Sequence, residues 1–332
     1  MAVTPEVVCF GEILWDIFEA RARGAAPISR FFRRELGGAP ANVATGLARL
    51  GVRAAVVGGV GRDRFGDALV DHLRRDGVDV HSVLRLPNRT GLTFVVRDPR
   101  GEPAFLLYRH ESADVSIRAE HITPAMGRAV WALVGTSTLM TKELARATDR
   151  FLDAAERQGA HVMVDLNVRE HLWPNRRTMQ KAIAGLAERA SLVKASDADL
   201  RAVTGARGAS ESPLLGWLER HAPGASWLVT RGPRVASAIG EHGSVELPAQ
   251  RARCIDATGA GDAFIAGSLA TLVAAAALPG SSAWRDPALW RAALRTGHFM
   301  GKKAVSRVGA VAGLERLGRA RAAIDRVRRS AR

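Results

Sequence analysis

Short apolar, β-branched runs alternate with amphipathic stretches along most of the chain. The runs with the length and composition of buried strands are 7–14, 53–60, 129–135, 161–168, 190–196 and 226–232. The segments 41–50, 142–159 and 176–190 instead show the apolar spacing of one-sided helices. This alternation predicts an α/β fold with a mostly parallel sheet and helices on both faces, whose ligands bind at the carboxyl ends of the strands.

Two segments, 15–36 and 88–112, interrupt the alternation. They contain alternating strand-like pieces, such as TGLTFVVRD and PAFLLYRH in the second, separated by turn residues. They predict a small antiparallel β flap beside the main sheet. Because no internal repeat or low-complexity linker divides the sequence, we expect a single domain over residues 1–332.

The composition is that of an ordinary soluble globular protein, with 47% hydrophobic and 24% charged residues. The longest apolar run, 263–278, is shorter than a membrane span and predicts a core helix. The first residues lack the basic region of a signal peptide. We therefore expect a cytoplasmic protein without a membrane partner, in which Cys9 and Cys254 are buried, reduced thiols.

The net charge of +15 raises the alternative of a nucleic-acid partner. The basic residues are nevertheless dispersed, except in the terminal segment RLGRARAAIDRVRRSAR, which also has helical apolar spacing. The sequence contains no zinc-ligand spacing, RNA-binding motif or basic stripe interleaved with aromatic residues. We interpret the charge as an arginine-rich composition with a solvated terminal helix, and we expect no nucleic-acid partner.

The stretch CIDATGAGDAF, which begins at Cys254, combines a glycine turn with acidic residues. A strand ending near Cys254 would pass through the turn into a helix, whose unpaired N–H groups and dipole favour an anion. Small residues would let a phosphate approach that backbone closely: Gly259, Ala260 and Gly261. Asp262 could then accept a proton from an attacking hydroxyl, or it could be only an acidic residue favoured by the helix dipole. The local sequence supports both interpretations equally.

A second candidate site lies in LGGAPANVATGLARLG, residues 36–51. Gly37 and Gly38 permit close backbone approach to a ligand, and Asn42 offers the donor and acceptor that sugar hydroxyls need. Alternatively, the segment is a loop with a helix cap. Asp16, just after the first predicted strand, could bind two hydroxyls or merely end the strand.

Together these motifs resemble the ribokinase/PfkB family of carbohydrate kinases. The similarity includes GGAPANVATGLARLG, GGVGRDRFGDALVDHLRRDGVD, TGLTFVV, DLNVREHLW and DATGAGDAFIAG, in the family's order from about residue 7 to 314. The resemblance implies a ribokinase-like three-layer αβα sandwich and an ATP-dependent phosphotransferase acting on a small sugar. It also implies that the two irregular segments form a β lid, which in many relatives pairs two subunits into a homodimer.

The resemblance further implies roles for individual residues. Asp262 would be the general base, with the three residues before it as the anion hole, and Asp16, Gly38 and Asn42 would bind the sugar. Asp256 would help to hold a monovalent cation, expected to be K⁺, while Mg²⁺ would accompany ATP. The nucleotide-binding residues would be Thr230, Gly232 and, near the adenine, His298.

The lid segment GEPAFLLYRHESADVSI is similar to fructokinases, which favours fructose. The alternative is 2-keto-3-deoxygluconate, because kinases of that acid share a Tyr-Arg-x-x-Ser-Ala run. In either case Arg109 and Arg169 are expected to face the ligand, since a buried arginine is costly without an anion. The competing interpretation pairs them with Glu111 or Asp165.

Several positions depart from the family pattern. Ser196 and Asp199 replace the asparagine and glutamate that order water around Mg²⁺ and phosphate in relatives. Val235 replaces a usual glycine, and Lys302 and Lys303 fall in a helix that is usually small and apolar. These departures leave open a second class of function, a sugar- or nucleotide-binding protein with little turnover.

Overall fold

The computed structural model describes residues 4–19, 31–97, 103–206, 212–314 and 317–330. Within them the strands are β1 (Val7–Phe10), β2 (Leu14–Glu19), β3 (Phe32–Gly37), β4 (Ala54–Gly61), β5 (Val83–Leu86), β6 (Leu92–Arg97), β7 (Pro103–Tyr108), β8 (Trp131–Gly135), β9 (His161–Asp165), β10 (Leu192–Ser196), β11 (Ser226–Thr230), β12 (Val235–Gly240) and β13 (Gly243–Pro248). The helices are α1 (Ala39–Arg49), α2 (Arg64–Arg75), α3 (Lys142–Arg157), α4 (Arg176–Ala187), α5 (Asp197–Thr204), α6 (Ser212–His221), α7 (Ala260–Ala274), α8 (Pro287–Ala304) and α9 (Gly318–Ser330).

The main sheet has nine strands in the order β13-β12-β11-β10-β9-β8-β1-β4-β5. Its strands pair in parallel from β11 to β5, and β12 and β13 add an antiparallel edge. Strand β1 is buried along its whole length, as expected for a parallel strand covered on both faces. The predicted mostly parallel α/β sheet is therefore confirmed.

Two apolar cores cover the two faces of this sheet and make three layers. Side chains alternate between them, so that Cys9 joins the core formed with α1, α2, α7, α8 and α9, and Phe10 the core formed with α3 to α6. Helix α7 is buried almost all round, which confirms the core helix predicted for the long apolar run. Among the described residues, no helix is long and apolar enough to span a bilayer.

The lid is a separate four-stranded sheet, in the order β3-β2-β6-β7, whose strands come from the two irregular segments. The outer pairings are antiparallel, and the central pairing of β2 with β6 is parallel. The parts of these segments at 20–30 and 98–102 lie outside the described residues. Asp16 lies inside β2 and therefore belongs to the lid rather than to the end of the first strand.

The segment before α7 differs from the prediction. No strand ends near Cys254: β13 already ends at Pro248, and residues 249–258 have no regular structure. The N–H of Ile255 donates to the carbonyl of Val305 at 2.8 Å, which attaches this segment to the end of α8 instead of the sheet. As a result Cys254 is exposed, so the predicted burial is wrong for this thiol, whereas Cys9 is buried and burial raises the pKa of its thiol.

Candidate active site

Helix α7 begins from a glycine in the left-handed conformation. Gly259 has φ of 74°, and a Cβ at this position would lie 2.3 Å from the Cβ of Ala310, so only glycine fits. The helix starts at Ala260, whose N–H donates to the carbonyl of Ala257 at 3.2 Å, while the next N–H groups, of Gly261 and Asp262, have no acceptor within the helix. Together with the helix dipole, these groups can bind an anion beside Gly261.

Asp262 lies in the first turn of α7 and meets Asn42 of α1. The Nδ2 of Asn42 donates to Oδ2 of Asp262 at 2.8 Å, and both side chains are buried. Burial, and then the charge of Asp165, raise the pKa of Asp262 to about 7, while Asn42 and Lys194 act in the opposite direction. A carboxylate with a pKa near neutrality is suited to accept a proton from a hydroxyl.

Asn42 lies in the first turn of α1 rather than at its N-cap. Gly38, not Asn42, caps α1, and the backbone N–H of Asn42 donates to the carbonyl of Gly38 at 2.9 Å. The Oδ1 of Asn42 is buried and has no hydrogen-bond partner among the described residues. It is therefore available to accept a hydrogen bond from a ligand hydroxyl.

Asp16 approaches the same site from the lid. Its carboxyl group lies so close to Gly37 that a Cβ there would be 2.5 Å from Cγ of Asp16. Burial, and then the charges of Asp262 and Glu12, raise the pKa of Asp16 to about 8. Asp16 and Asp262 thus act on each other electrostatically, one from the lid and one from the main domain.

Glu12 is a buried group that the sequence analysis missed. Its Oε1 accepts from the N–H of Ala39 at 3.1 Å and its Oε2 accepts from the hydroxyl of Ser137 at 2.6 Å. A Cβ at Gly38, where φ is 96°, would lie 2.2 Å from the carbonyl oxygen of Glu12. The close approach of Asp16 to Gly37 and of Glu12 to Gly38 therefore requires glycine at both positions, whether or not a ligand also approaches them. The available signal was an acidic residue inside an apolar run.

Arg109 follows β7 and is buried against Asp114. Both Nε and Nη2 of the guanidinium lie 2.7 Å from Oδ2 of Asp114, whose Oδ1 accepts from the hydroxyl of Ser112 at 2.5 Å. Although burial acts in the opposite direction, the carboxylates of Asp114 and Glu12 raise the pKa of Arg109. Arg109 therefore forms a structural ion pair, as in the competing interpretation, but its partner is Asp114 of the Ser-Ala-Asp run and not Glu111. Its predicted contact with a ligand stays a prediction.

Arg169, the second predicted ligand-facing arginine, is exposed in the loop after β9. Its Nη1 donates to the carbonyls of Asn167 at 3.4 Å and Val168 at 3.2 Å. The residue in ion-pair contact with Asp165 is not Arg169 but Lys194. The charge of Arg169 still lowers the pKa of Asp262, so the guanidinium lies at the edge of the same site.

Lys194 is a second group that the sequence analysis missed. It lies in β10, only 4% exposed, with Nζ 3.2 Å from Oδ1 of Asp165 in the neighbouring strand. A Cβ at Gly261 would lie 3.0 Å from the same Nζ, so the ammonium lies directly beside the anion-binding turn. The signal was a lysine in the otherwise apolar run SLVKAS, where a buried charge needs a partner.

Ser196 and Asp199 form a capping box at the start of α5. Oδ2 of Asp199 accepts from the N–H and the hydroxyl of Ser196, both at 2.7 Å, and Oδ1 accepts from the N–H of Val168 at 2.7 Å. The carboxylate therefore joins the ends of two strands. Its predicted role in ordering water around Mg²⁺ stays a prediction.

Asp256 joins the turn before α7 to the loop after α8. Its Oδ1 accepts from the N–H and hydroxyl of Thr258, at 3.0 and 2.7 Å, and its Oδ2 accepts from the N–H of Gly309 at 2.9 Å. Its predicted role in holding a monovalent cation stays a prediction. Across the described residues, no group of three or more His, Cys, Asp and Glu side chains could hold a metal ion.

Two of the predicted nucleotide residues, Thr230 and Gly232, lie at the carboxyl end of β11. Thr230 ends β11, and Gly232, with φ of 57°, stands in a tight turn in which the N–H of Arg231 donates to the carbonyl of Val235 at 2.9 Å. Val235 opens β12, so its side chain is accommodated in a strand.

His298 lies farther back, in α8. Its Nε2 lies 3.0 Å from the carbonyl of Leu247, its ring meets Phe264 edge to face, and burial lowers its pKa. Its predicted contact with adenine stays a prediction. The off-pattern Lys302 is exposed, and Lys303 lies over the ring of Phe299, so both occupy the outer part of the helix.

Comparison with protein families gives one match that covers nearly the whole chain. Residues 4–317 match the pfkB family of carbohydrate kinases. Fructokinase-1 of Oryza sativa subsp. japonica is 34% identical over 270 residues, which are 80% of this chain and 83% of that protein.

Comparison with solved structures agrees with the sequence match. The fructokinase with bound ATP from Xylella fastidiosa superposes with a TM-score of 0.81 and 31% identity, covering 92% of this chain and 94% of that one. The fructokinase from Vibrio cholerae O395, in its fructose, ADP and calcium-bound form, gives a TM-score of 0.82 and 26% identity, with coverage of 96% and 98%. The predicted ribokinase-like sandwich with its lid is thereby confirmed.

Proposed function

The chain belongs to the pfkB family of carbohydrate kinases, and we propose that its substrates are fructose and ATP. As a family member it is a phosphotransferase with an alcohol group as acceptor. The observation that carries the assignment of the site is the buried contact between Asn42 and Asp262 at the first turn of α7. This contact brings together a residue that could bind the sugar, a candidate base and the end of a helix that can bind an anion.

Each residue of this site has a separate role in the proposed reaction. Asp16 and the free Oδ1 of Asn42 hold sugar hydroxyls, and Asp262 accepts the proton of the hydroxyl that attacks the γ-phosphate of ATP. The N–H groups at the start of α7, from Gly259 to Gly261, offset the charge on the phosphoryl oxygens. Mg²⁺, when bound with ATP, would supply further charge neutralisation, and Ser196 and Asp199 at the start of α5 would order the water around it.

The ion pair of Arg109 supports fructose over a keto acid. The guanidinium charge is already matched by Asp114, and both are buried, so a substrate carboxylate is not needed to neutralise it. The fructose bound by the Vibrio cholerae fructokinase supports the same choice. The alternative substrate, 2-keto-3-deoxygluconate, would depend on the exposed Arg169 at the edge of the site.

Turnover across a panel of acceptors tests this proposal. Purified protein with ATP, Mg²⁺ and K⁺ should release ADP fastest with fructose, compared with other hexoses, pentoses, keto-deoxy acids and nucleosides. Asp262→Asn should abolish turnover while sugar binding persists, and Asp71→Asn, at an exposed site, should leave both unchanged. If none of the acceptors in the panel supports ADP release, the kinase assignment of this site is rejected, and a sugar- or nucleotide-binding protein is favoured.

A monovalent cation belongs to the same proposal. The carboxylate of Asp256 ties the turn before α7 to Gly309, so a K⁺ ion there would stabilise the anion-binding helix end. Asp256→Asn should lose the activation that replacing Na⁺ by K⁺ gives to the wild type. Equal wild-type activity in the two salts would contradict this part of the proposal.

The outer face of the lid supports a homodimer. Phe32, Leu106 and Tyr108 are 41%, 49% and 64% exposed, and the strand pairing places them on the face opposite Asp16. An exposed apolar face of this kind suits a second copy of the lid. Sedimentation should give a dimer for the wild type and a monomer for Tyr108→Glu. The matched control is Phe65→Glu, at an exposed apolar position outside the lid.

A cytoplasmic location completes the proposal, because the kinase needs ATP and retains a free buried thiol at Cys9. Fractionation of cells that express the chain would test it, and recovery outside the cytoplasm would contradict it.

A further inference from the structure

We propose that Lys194 is a further catalytic residue, whose ammonium contacts the phosphoryl group during its transfer from ATP to the sugar. The residue is the middle one of β10, two residues before the carboxyl end of that strand, and β10 lies between β9 and β11 in the main sheet. Ligands of parallel sheets bind at the carboxyl ends of the strands, and a lysine side chain is long enough to reach that end from the middle of β10. The inference rests on the assignment of the kinase site above and adds a residue from the floor of that site.

The position of the ammonium relative to α7 carries the argument. A side-chain carbon at Gly261 would lie 3.0 Å from Nζ of Lys194, and Gly261 is the residue immediately before the candidate base. The nearest group that such a carbon would meet is therefore the ammonium, not backbone. Glycine at this position lets the ammonium approach the first turn of the helix closely, beside the N–H groups that can bind an anion.

The partners of Lys194 leave it able to accept a ligand. An ammonium has three donors, and within the described residues its ion-pair partner is Asp165, at 3.2 Å. The Oδ1 of Asp165 has no hydrogen bond of good geometry, so this pair is held at ion-pair distance without being saturated. Buried charges are retained when further groups satisfy them, and phosphoryl oxygens are strong acceptors.

The charge balance of the site gives the ammonium its chemical role. Burial lowers the pKa of Lys194, but the carboxylates of Asp165, Asp199 and Asp262 raise it overall, which favours the charged ammonium. The sugar hydroxyl loses its proton to the base, its oxygen bonds to the γ-phosphorus, and the bond from that phosphorus to the ADP oxygen breaks. Lys194 offsets the negative charge on the three transferred oxygens, which would otherwise be repelled by the surrounding carboxylates.

Two variants separate this role from a purely structural one. Lys194→Met removes the ammonium, and Lys194→Met with Asp165→Asn also removes the carboxylate left without a partner, so the double variant is expected to fold. We expect kcat to fall by about 10²–10³ in both variants, the loss typical when one group that stabilises the transition state is removed. Lys181→Met, at an exposed lysine of α4, is the matched control and should keep wild-type kcat.

Nucleotide binding provides a readout that does not need turnover. By calorimetry, both Lys194 variants should bind ADP within about twofold of wild type but bind the β,γ-methylene analogue of ATP at least about tenfold more weakly, because only the analogue carries a γ-phosphate. Recovery of kcat in the double variant, or equal losses of ADP and analogue binding, would overturn the inference. If the single variant does not fold, the double variant decides. A wild-type protein without turnover would count against the proposed function, and the binding comparison would still test Lys194.

Discussion

The hydrogen bond from Asn42 to Asp262 gives a quantitative test of the proposed base. Asn42→Ala removes a buried donor that lies 2.8 Å from Oδ2 of Asp262 and favours its ionised form. A hydrogen bond to a charged group contributes about 1.5–3 kcal/mol, and one pKa unit corresponds to about 1.4 kcal/mol. We therefore expect the pKa of Asp262 to rise by about 1–2 units. It would then lie well above its wild-type value of about 7.

The pH dependence of kcat/KM measures this shift. Because the base must be ionised, activity falls on the acid side of its pKa, and the acid limb of the profile should move to higher pH by the same 1–2 units, about 10- to 100-fold in proton concentration. Asn42→Ala also removes a proposed sugar contact. Loss of that contact lowers the pH-independent value of kcat/KM but does not move the acid limb of the profile. Asp16 has a pKa of about 8 and interacts with Asp262, so each limb belongs to the pair, and the difference between variant and wild type isolates the hydrogen bond.

A matched control lies one turn along the same helix. Thr45 of α1 is fully buried, and its hydroxyl has no hydrogen-bond partner among the described residues. Thr45→Val should therefore keep the wild-type acid limb. An Asn42→Ala profile whose acid limb coincides with that of the wild type, at any plateau height, would refute the assignment of Asp262 as the base that this bond tunes.

Three further predictions concern stability. Asp114→Ala leaves the buried charge of Arg109 without its ion-pair partner and should lower the free energy of unfolding by about 3–5 kcal/mol in a urea titration, and a loss below about 1 kcal/mol would contradict the pairing. Gly259→Ala, with φ of 74° and no space for a Cβ, should lower stability by about 1–3 kcal/mol and abolish turnover, whereas Gly224→Ala, with nothing within 4 Å, should do neither. Because burial raises the pKa of Asp262 above its unfolded value, stability should fall as pH rises from about 4 towards 8, and Asp262→Asn should make that fall smaller, which unfolding at a series of pH values would measure.

The sequence predicted the sheet well because its parallel strands are buried on both faces. Strands such as Trp131–Gly135 and Leu192–Ser196 begin and end within two residues of the predicted runs. A short continuous β-branched run is typical of a strand buried on both faces, so its position in the sequence is easy to recognise. The first predicted run, 7–14, instead divides, because β1 ends at Phe10 and the lid begins at Leu14. The pattern of apolar residues does not show where the chain passes from the main sheet to the lid, because the residues on both sides of that point are buried.

The candidate site was less accessible to sequence analysis because its contacts join distant segments. Asn42 and Asp262 are 220 positions apart, so each had a simple local explanation until the family resemblance related them. Lys194 and Glu12 were visible as charges inside apolar runs, but their partners depend on register. The pairing of β10 with β9 sets Lys194 opposite Asp165, and no local pattern specifies that register.

The basicity of Asp262 follows from opposing effects that a single residue could not provide. Burial and the nearby Asp165 raise its pKa, and acting alone they would keep the carboxyl protonated and unable to accept a proton. Asn42, Lys194 and Arg169 lower its pKa, and if they prevailed the carboxylate would be a weak base. The balance gives a pKa of about 7, where both the ionised fraction and the proton affinity are substantial. The ammonium of Lys194 therefore has two effects in the proposed reaction. It lowers the pKa of Asp262, which favours the ionised base, and it is available to contact the phosphoryl group that the sugar attacks.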